Sequence, residues 1–300
     1  MEAATVPSVR ARRRLHTSVL RVLRELVRDP AATVGLTFIA LLVLVALTGT
    51  RLAPYDPLAL DIPNRLQGPT ADHLLGTDLL GRDLLSRLIG GVRVGFEIAI
   101  PTVSLAGLIG LVLGVAGGYL SGAADAVVLF VIDFLAAFPG LILALALVTL
   151  LGSSIRNLIL ALTIGLIPTY ARVARASALA IKEEGFVLAE RSLGATSLRI
   201  ASVHVVPNII APIIILVAMD IPLVILAEAG LSFLGLGAPP PDPSWGSILA
   251  EGFRNVRETP WPVLWPSVAI ALTMISFTLV GEALRNILDP RAEGARPRGV

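Results

Sequence analysis

Cysteine is absent from the 300 residues. That excludes a disulfide framework, a thiol nucleophile and a thiolate metal site. Lysine is nearly absent too: Lys182 stands alone, with Glu183 after it. A phosphate-cradling loop needs glycine, then lysine, then serine or threonine. No such loop exists here, so any nucleotide energy that drives this chain is bound by another subunit. The three histidines, His16, His73 and His204, lie far apart and form no ligand-spaced cluster. Charge is scarce as well, at 15% of residues where a soluble domain carries about 25%. With 55% hydrophobic residues and a mean hydropathy of +0.83, the composition is that of a multi-spanning membrane protein. The net charge of +2 says little; its distribution says more.

Seven arginines occur in residues 1–30, from Arg10 to Arg28. A solvated tail or a nucleic-acid arm would use such a run. A charge-free stretch over 30–50 follows at once, which makes it cytoplasmic topogenic charge instead. Its apolar part begins too far in for a cleaved leader. About 20 apolar residues cross a bilayer as a helix, so 30–50 is span 1. Residues 98–124 carry no charge and form span 2. Gly107, Gly110, Gly114 and Gly117 share one face of it, where small residues let a second backbone come close. Span 3 is 126–150 and contains Asp133. Span 4 is about 157–175, between Arg156 and Arg172. Span 5 is about 208–230 with Asp220 and Glu228, and span 6 is 259–281 with Trp261 and Trp265 at its start. Pro139, Pro207 and Pro222 mark local kinks.

Between spans 1 and 2, Gly76-Thr77-Asp78 opens the stretch LLGRDLLSRLIGG. Leu80, Leu84, Leu85, Leu88 and Ile89 share a face; Arg82, Asp83, Ser86 and Arg87 fall largely opposite. This predicts an amphipathic helix lying at the outer membrane surface. Residues 231–262 read as an external loop rich in glycine and proline.

Phe186 to Asn208 is the polar island of the second half. It reads as two short helices broken at Leu193-Gly194, where glycine takes positive φ, with Thr196 and Ser197 to cap the second. Of the 24 basic residues, 16 lie in the two tails and in 172–199, and 8 lie elsewhere. That split puts both termini and the 176–207 loop in the cytoplasm. A lipid-surface helix would be more basic, so the loop reads as a plug for a groove on a cytoplasmic protein.

Several motifs resemble one family in order. They are Leu52-Ala53-Pro54-Tyr55-Asp56-Pro57, Leu75-Gly76-Thr77-Asp78 with Gly81-Arg82-Asp83, and the cytoplasmic set Ala189, Arg191, Leu193, Gly194, Ala195, His204, Pro207 and Asn208. Next come Glu228 to Gly237 and the Pro-Ser-Trp-Gly of 243–246, then Gly281, Leu284, Arg285, Leu288, Asp289, Pro290 and Arg291. Over residues 20–292 the chain resembles the second permease of the heterodimeric ABC importers for dipeptides, oligopeptides and nickel. Leu188 stands where the family usually has Glu, and Glu190 where it has Ala. The acidic group is thus moved by about 200° around a helix. Phe130 also replaces the arginine that commonly precedes the Asp133 position.

The resemblance implies an all-α membrane protein of six transmembrane helices, the type I importer permease fold, with an external amphipathic helix and a cytoplasmic coupling helix. Its parts would be a basic tail (1–30), span 1 with the external segment (31–94), the transmembrane domain (95–285) and a tail (286–300). Leu188, Ala189, Glu190, Arg191, Leu193, Gly194, Ala195, Leu198 and Arg199 would couple to an ATP-binding subunit. Implied partners are a second homologous permease, one or two cytoplasmic ATP-binding subunits that hold ATP and Mg, an external solute-binding protein and the lipid bilayer, with no nucleic acid. The chain itself would carry no cofactor or metal and perform no covalent chemistry. Ser232 and Trp245 would touch the docked binding protein or merely shape an interfacial loop. Asp133 reads as a contact between spans, Glu228 as structural, and Asp220 as the carboxylate best placed to face the pathway. Competing readings are an ion-coupled secondary transporter using those three carboxylates and a non-transport scaffold. Dipeptides, longer peptides and nickel chelates all stay open as the solute.

Overall fold

The computed structural model describes residues 19–120 and 122–288. Arg10, Arg12, Arg13, Arg14 and the motif residues Asp289, Pro290 and Arg291 lie outside the described residues. Among the described residues there is no strand, only an isolated antiparallel bridge between Thr77 and Asp83.

Helix α1 (Val19–Arg28) ends at Asp29, whose carboxylate accepts from the Ala31 and Ala32 amides at 2.9 and 3.2 Å. That cap, with Pro30 in the first turn, starts α2 (Pro30–Thr48), which is span 1. α3 (Leu84–Val115) is span 2, and a wider π turn over Ala116–Leu120 prolongs it. α4 (Ala123–Ala136) and α5 (Gly140–Leu151) follow, then α6 (Ile155–Lys182), α7 (Gly185–Ser192) and α8 (Ser197–Ile200). A second π turn joins α8 to α9 (Val206–Phe233); α10 (Trp245–Arg254) and α11 (Trp261–Leu288) complete the chain. Five of these stretches are long and apolar enough to cross a membrane, and six if the bent pair α4–α5 is one span.

The expected glycine face of α3 packs on α6. A Cβ at Gly110 would stand 2.3 Å from the Tyr170 Cβ, and one at Gly114 would stand 2.5 Å from the Ala174 Cβ. α2 leans on α11 by the same device, since a Cβ on Gly35 would meet the Ser276 carbonyl at 2.6 Å. Without a hydrophobic drive between helices in lipid, such close approach is how spans find one another.

Several expectations need correction. Span 2 begins at Leu84 rather than 98, so the amphipathic stretch is no separate surface helix: from Leu84 onward it is the first part of α3. Its polar face is not in water, because Asp83, Ser86 and Arg87 are buried. The boundary placed at 94/95 therefore falls inside one rigid helix. Span 3 is broken, with α4 and α5 meeting at 84°. Pro139 stands at the N-cap position of α5 there, and Gly140 comes close to Gly165 of α6. The 231–262 loop contains α10, which Ser244 opens by a reciprocal cap with Ser247.

Candidate functional site

The turn between α7 and α8 is built by local rules. α7 closes with a Schellman pair: the Ala195 amide donates to the Glu190 carbonyl at 3.1 Å and the Gly194 amide to the Arg191 carbonyl at 3.0 Å. The motif needs a left-handed residue, and Gly194 supplies it at φ +82°. The Thr196 hydroxyl then accepts from the Arg199 amide at 3.4 Å and starts α8. The sequence reading had two separate short helices. Instead α8 runs through its π turn into α9, so a residue pushed at the tip is on the same helical rod as span 5.

Two sets of side chains leave this turn in opposite directions. Val187, Ile200 and Val205 are buried among Tyr119, Ala174, Ala178 and Ile209 and anchor it to α6 and α9. Leu193 and Leu198 are 84% and 80% exposed, and Leu188 is 45% exposed. Ala189 and Arg199 are exposed, while Ala195 and Glu190 are half-buried. Glu190 faces His204, with 3.5 Å between Oε1 and Nε2, and His204 lies 6.0 Å from the Phe186 ring. The displaced acidic residue thus braces the turn itself. The Arg191 guanidinium lies 5.9 Å from the centre of the Tyr119 ring. A rigid base and an apolar tip are what a protein groove recognises.

The intramembrane carboxylates separate into different roles. Asp133 bonds Arg172 of α6, with Nη2 to Oδ1 at 3.2 Å, which is the partner that Phe130 cannot provide. Arg175 holds Asp125 with two bonds of 2.6 and 2.7 Å. Asp220 is buried beside Tyr170, between α9 and α6. Glu228 is buried and accepts from the Ser232 hydroxyl at 2.5 Å; Ser244 donates onward to Ser232 at 3.0 Å. That chain ties the outer end of α9 to the start of α10.

Ser232 and Trp245 do not present themselves to a docked protein. Both are about 95% buried, each being 5% exposed. The Trp245 indole donates to the Leu88 carbonyl at 3.0 Å, pinning α10 to α3. Trp245→Phe keeps the ring packing and loses that bond. It is expected to cost about 1 kcal/mol, read as a lower midpoint of thermal unfolding in detergent.

Sequence reasoning missed the polar centre beneath α10. Asp78 accepts from Arg82 Nε at 2.7 Å and pairs with Arg87. Both arginines reach Glu251 of α10 at 2.7 Å. Next to it, His73 Nδ1 lies 3.0 Å from Asp83, whose other oxygen accepts from the Ser86 amide at 2.8 Å. The Asp78-to-Arg82 spacing was visible; Glu251 was not.

Comparison with known proteins agrees with this architecture. Residues 108–294 match the family described as binding-protein-dependent transport system inner membrane component. Residues 19–69 match the N-terminal transmembrane domain of oligopeptide transport permease C. The chain is 37% identical over 289 residues to a glutathione transport system permease protein of Pectobacterium atrosepticum, covering 96% of each. It is 35% identical over 268 residues to a dipeptide transport system permease protein of Alkalihalophilus pseudofirmus, covering 89% of this chain and 88% of that one. A probable D,D-dipeptide transport system permease protein of Escherichia coli is 37% identical over 266 residues, 89% of each. The chain belongs to the binding-protein-dependent transport system inner membrane components, the multi-pass permeases of ABC transport systems.

Proposed function

We propose that this chain is one of two permeases in an ATP-driven importer of small peptides. The Leu188, Leu193 and Leu198 tip seats in a cleft of a cytoplasmic ATP-binding subunit, with both termini on that same side. ATP and Mg are held by those subunits. A second, homologous permease completes the solute route, and an external binding protein delivers the solute. The relatives are named for peptides and glutathione, which favours a peptide over a nickel chelate.

The observation that carries the reading is the exposed apolar tip on a buried base. Each leucine contributes about 1.5–3 kcal/mol when fully covered. Arg191 and Arg199 add orientation through charge-assisted bonds. Because α8 and α9 form one rod, closure of the ATP-binding subunits moves span 5 directly. Gly194 fixes the angle at which α7 meets that rod.

The test is a complex purified with its partners and reconstituted in vesicles. Leu193→Asp combined with Leu198→Asp leaves the buried anchors untouched, so the chain still folds and inserts. Solute-stimulated ATP hydrolysis and uptake are expected to fall by more than about tenfold, with ATP-binding subunits lost on washing. Retained, coupled uptake in that variant would defeat the proposal. So would wild-type uptake that needs no ATP-binding subunit.

A further inference from the structure

Asp133 and Arg172 are an ion pair left largely uncovered by the described residues. Their side chains are 69% and 55% exposed. They also lie deep. Asp133 is eight residues beyond Asp125 on α4, about 12 Å further along the helix axis. Asp125 and its partner Arg175 are far better covered, at 23% exposure each. Charges bared to hydrocarbon at that depth are strongly disfavoured, and such residues face a bundle interior or water.

The flanking residues on α6 are mostly small. Down the same side of α6, Thr169, Ala176, Leu179 and Ala180 are exposed around Arg172. The exposed face of α3 holds Ser104 with Leu105, Leu108, Ile109 and Val112, a bulkier aliphatic surface. On α4, Phe130 and Phe134 stack on each other with centroids 6.3 Å apart and are exposed. Phe130 lies about 60° and Phe134 about 100° around the helix from Asp133, so the aromatic stripe borders the carboxylate on one flank.

The ion pair is also under-used. Arg175 and Asp125 make two short bonds, whereas Arg172 spends one N–H on one oxygen of Asp133 at 3.2 Å. A guanidinium has five N–H donors and a carboxylate two acceptor oxygens. Both partners keep free capacity toward the uncovered side.

We infer that the Thr169–Arg172–Ala176 face of α6, with Asp133 opposite, is a water-lined wall of the solute route, and that this pair is a contact for the charged ends of a zwitterionic peptide. Arg172 takes the carboxylate end and Asp133 the ammonium end. Their single bond opens to admit the solute and closes behind it, so the charges are never left bare. The inference rests on the importer reading above and names a contact within it.

The absence of cysteine makes a direct test available. Thr169→Cys, Ala176→Cys and, as a control on the aliphatic face of α3, Leu108→Cys are introduced singly into the complete complex in lipid nanodiscs, where both faces are accessible. A membrane-impermeant maleimide is the probe. Thr169→Cys and Ala176→Cys are expected to react at least about tenfold faster than Leu108→Cys, and saturating dialanine with binding protein to slow Thr169→Cys several-fold. Adding Asp133→Asn should keep the fast labelling, which shows the fold intact, and remove the protection by dialanine. Labelling as slow as at Leu108→Cys overturns the water-lined wall. Fast labelling with no protection in the parent, or with protection unchanged by Asp133→Asn, overturns the solute contact. Failure of ATP-dependent uptake in the parent complex would instead strike the importer reading, so the two failures are distinguishable.

Discussion

Replacing Arg87 by methionine is expected to destabilise the packing of α10 on α3 by about 3–5 kcal/mol, the usual cost of removing one member of a buried ion pair. Arg87 is 3% exposed at its side chain and holds both Asp78 and Glu251. Methionine fills similar space but leaves Asp78, at 2% exposure, without its closest cation. Arg82 still bonds Asp78 at 2.7 Å, so the centre is weakened rather than emptied. Its loosening frees α10, because Glu251 is the residue through which α10 is tied to this centre. Proteolysis between residues 231 and 262 should become faster, and the thermal midpoint of the purified chain should drop. Arg87→Lys keeps a cation beside Asp78 and should retain part of the stability that Arg87→Met loses. An Arg87→Met variant as stable as the parent would show that the centre contributes no stability.

The second large effect is expected inside the membrane. Gly110→Val should separate α3 from α6, because its Cβ would sit 2.3 Å from the Tyr170 Cβ and 2.9 Å from the Ala171 amide nitrogen. Backbone cannot rotate out of the way as a flexible side chain can. Overpacking of this kind costs about 1–3 kcal/mol, occasionally more, and here it strikes the longest helix pairing in the molecule. The expected result is reduced insertion or rapid degradation, with uptake lost in proportion. Gly185→Ala is the control, since a Cβ there meets nothing within 4 Å. It should leave protein level unchanged. Equal levels for Gly110→Val and the control would mean that α3 and α6 do not pack as described.

Much of this protein is dictated locally. Spans 1 and 6 follow from charge-free length, and spans 4 and 5 from apolar length with few charges, because backbone in lipid must satisfy itself as helix. The Leu193-Gly194 break follows from the need for a left-handed residue at a helix end, a constraint that acts within six residues. The face shared by Gly107, Gly110 and Gly114 follows from helical periodicity, and so did its use for close packing.

Distance along the chain decided the rest. Periodicity shows which residues share a face, not what lies opposite. Arg82 and Arg87 therefore read as a wetted surface until Glu251, more than 160 positions away, arrives on α10. Ser232 and Trp245 read either as a docking contact or as part of an interfacial loop for the same reason, and folding turned both inward. Pro139 announced a kink, but not its size: the 84° between α4 and α5 is set where α5 packs on α6. Asp133 announced a need for a partner, and only the packing of α4 on α6 named Arg172. Caps, turns and spans are short-range bargains between neighbours in sequence; buried ion pairs and uncovered charges depend on which helices meet, and that is settled by the fold as a whole.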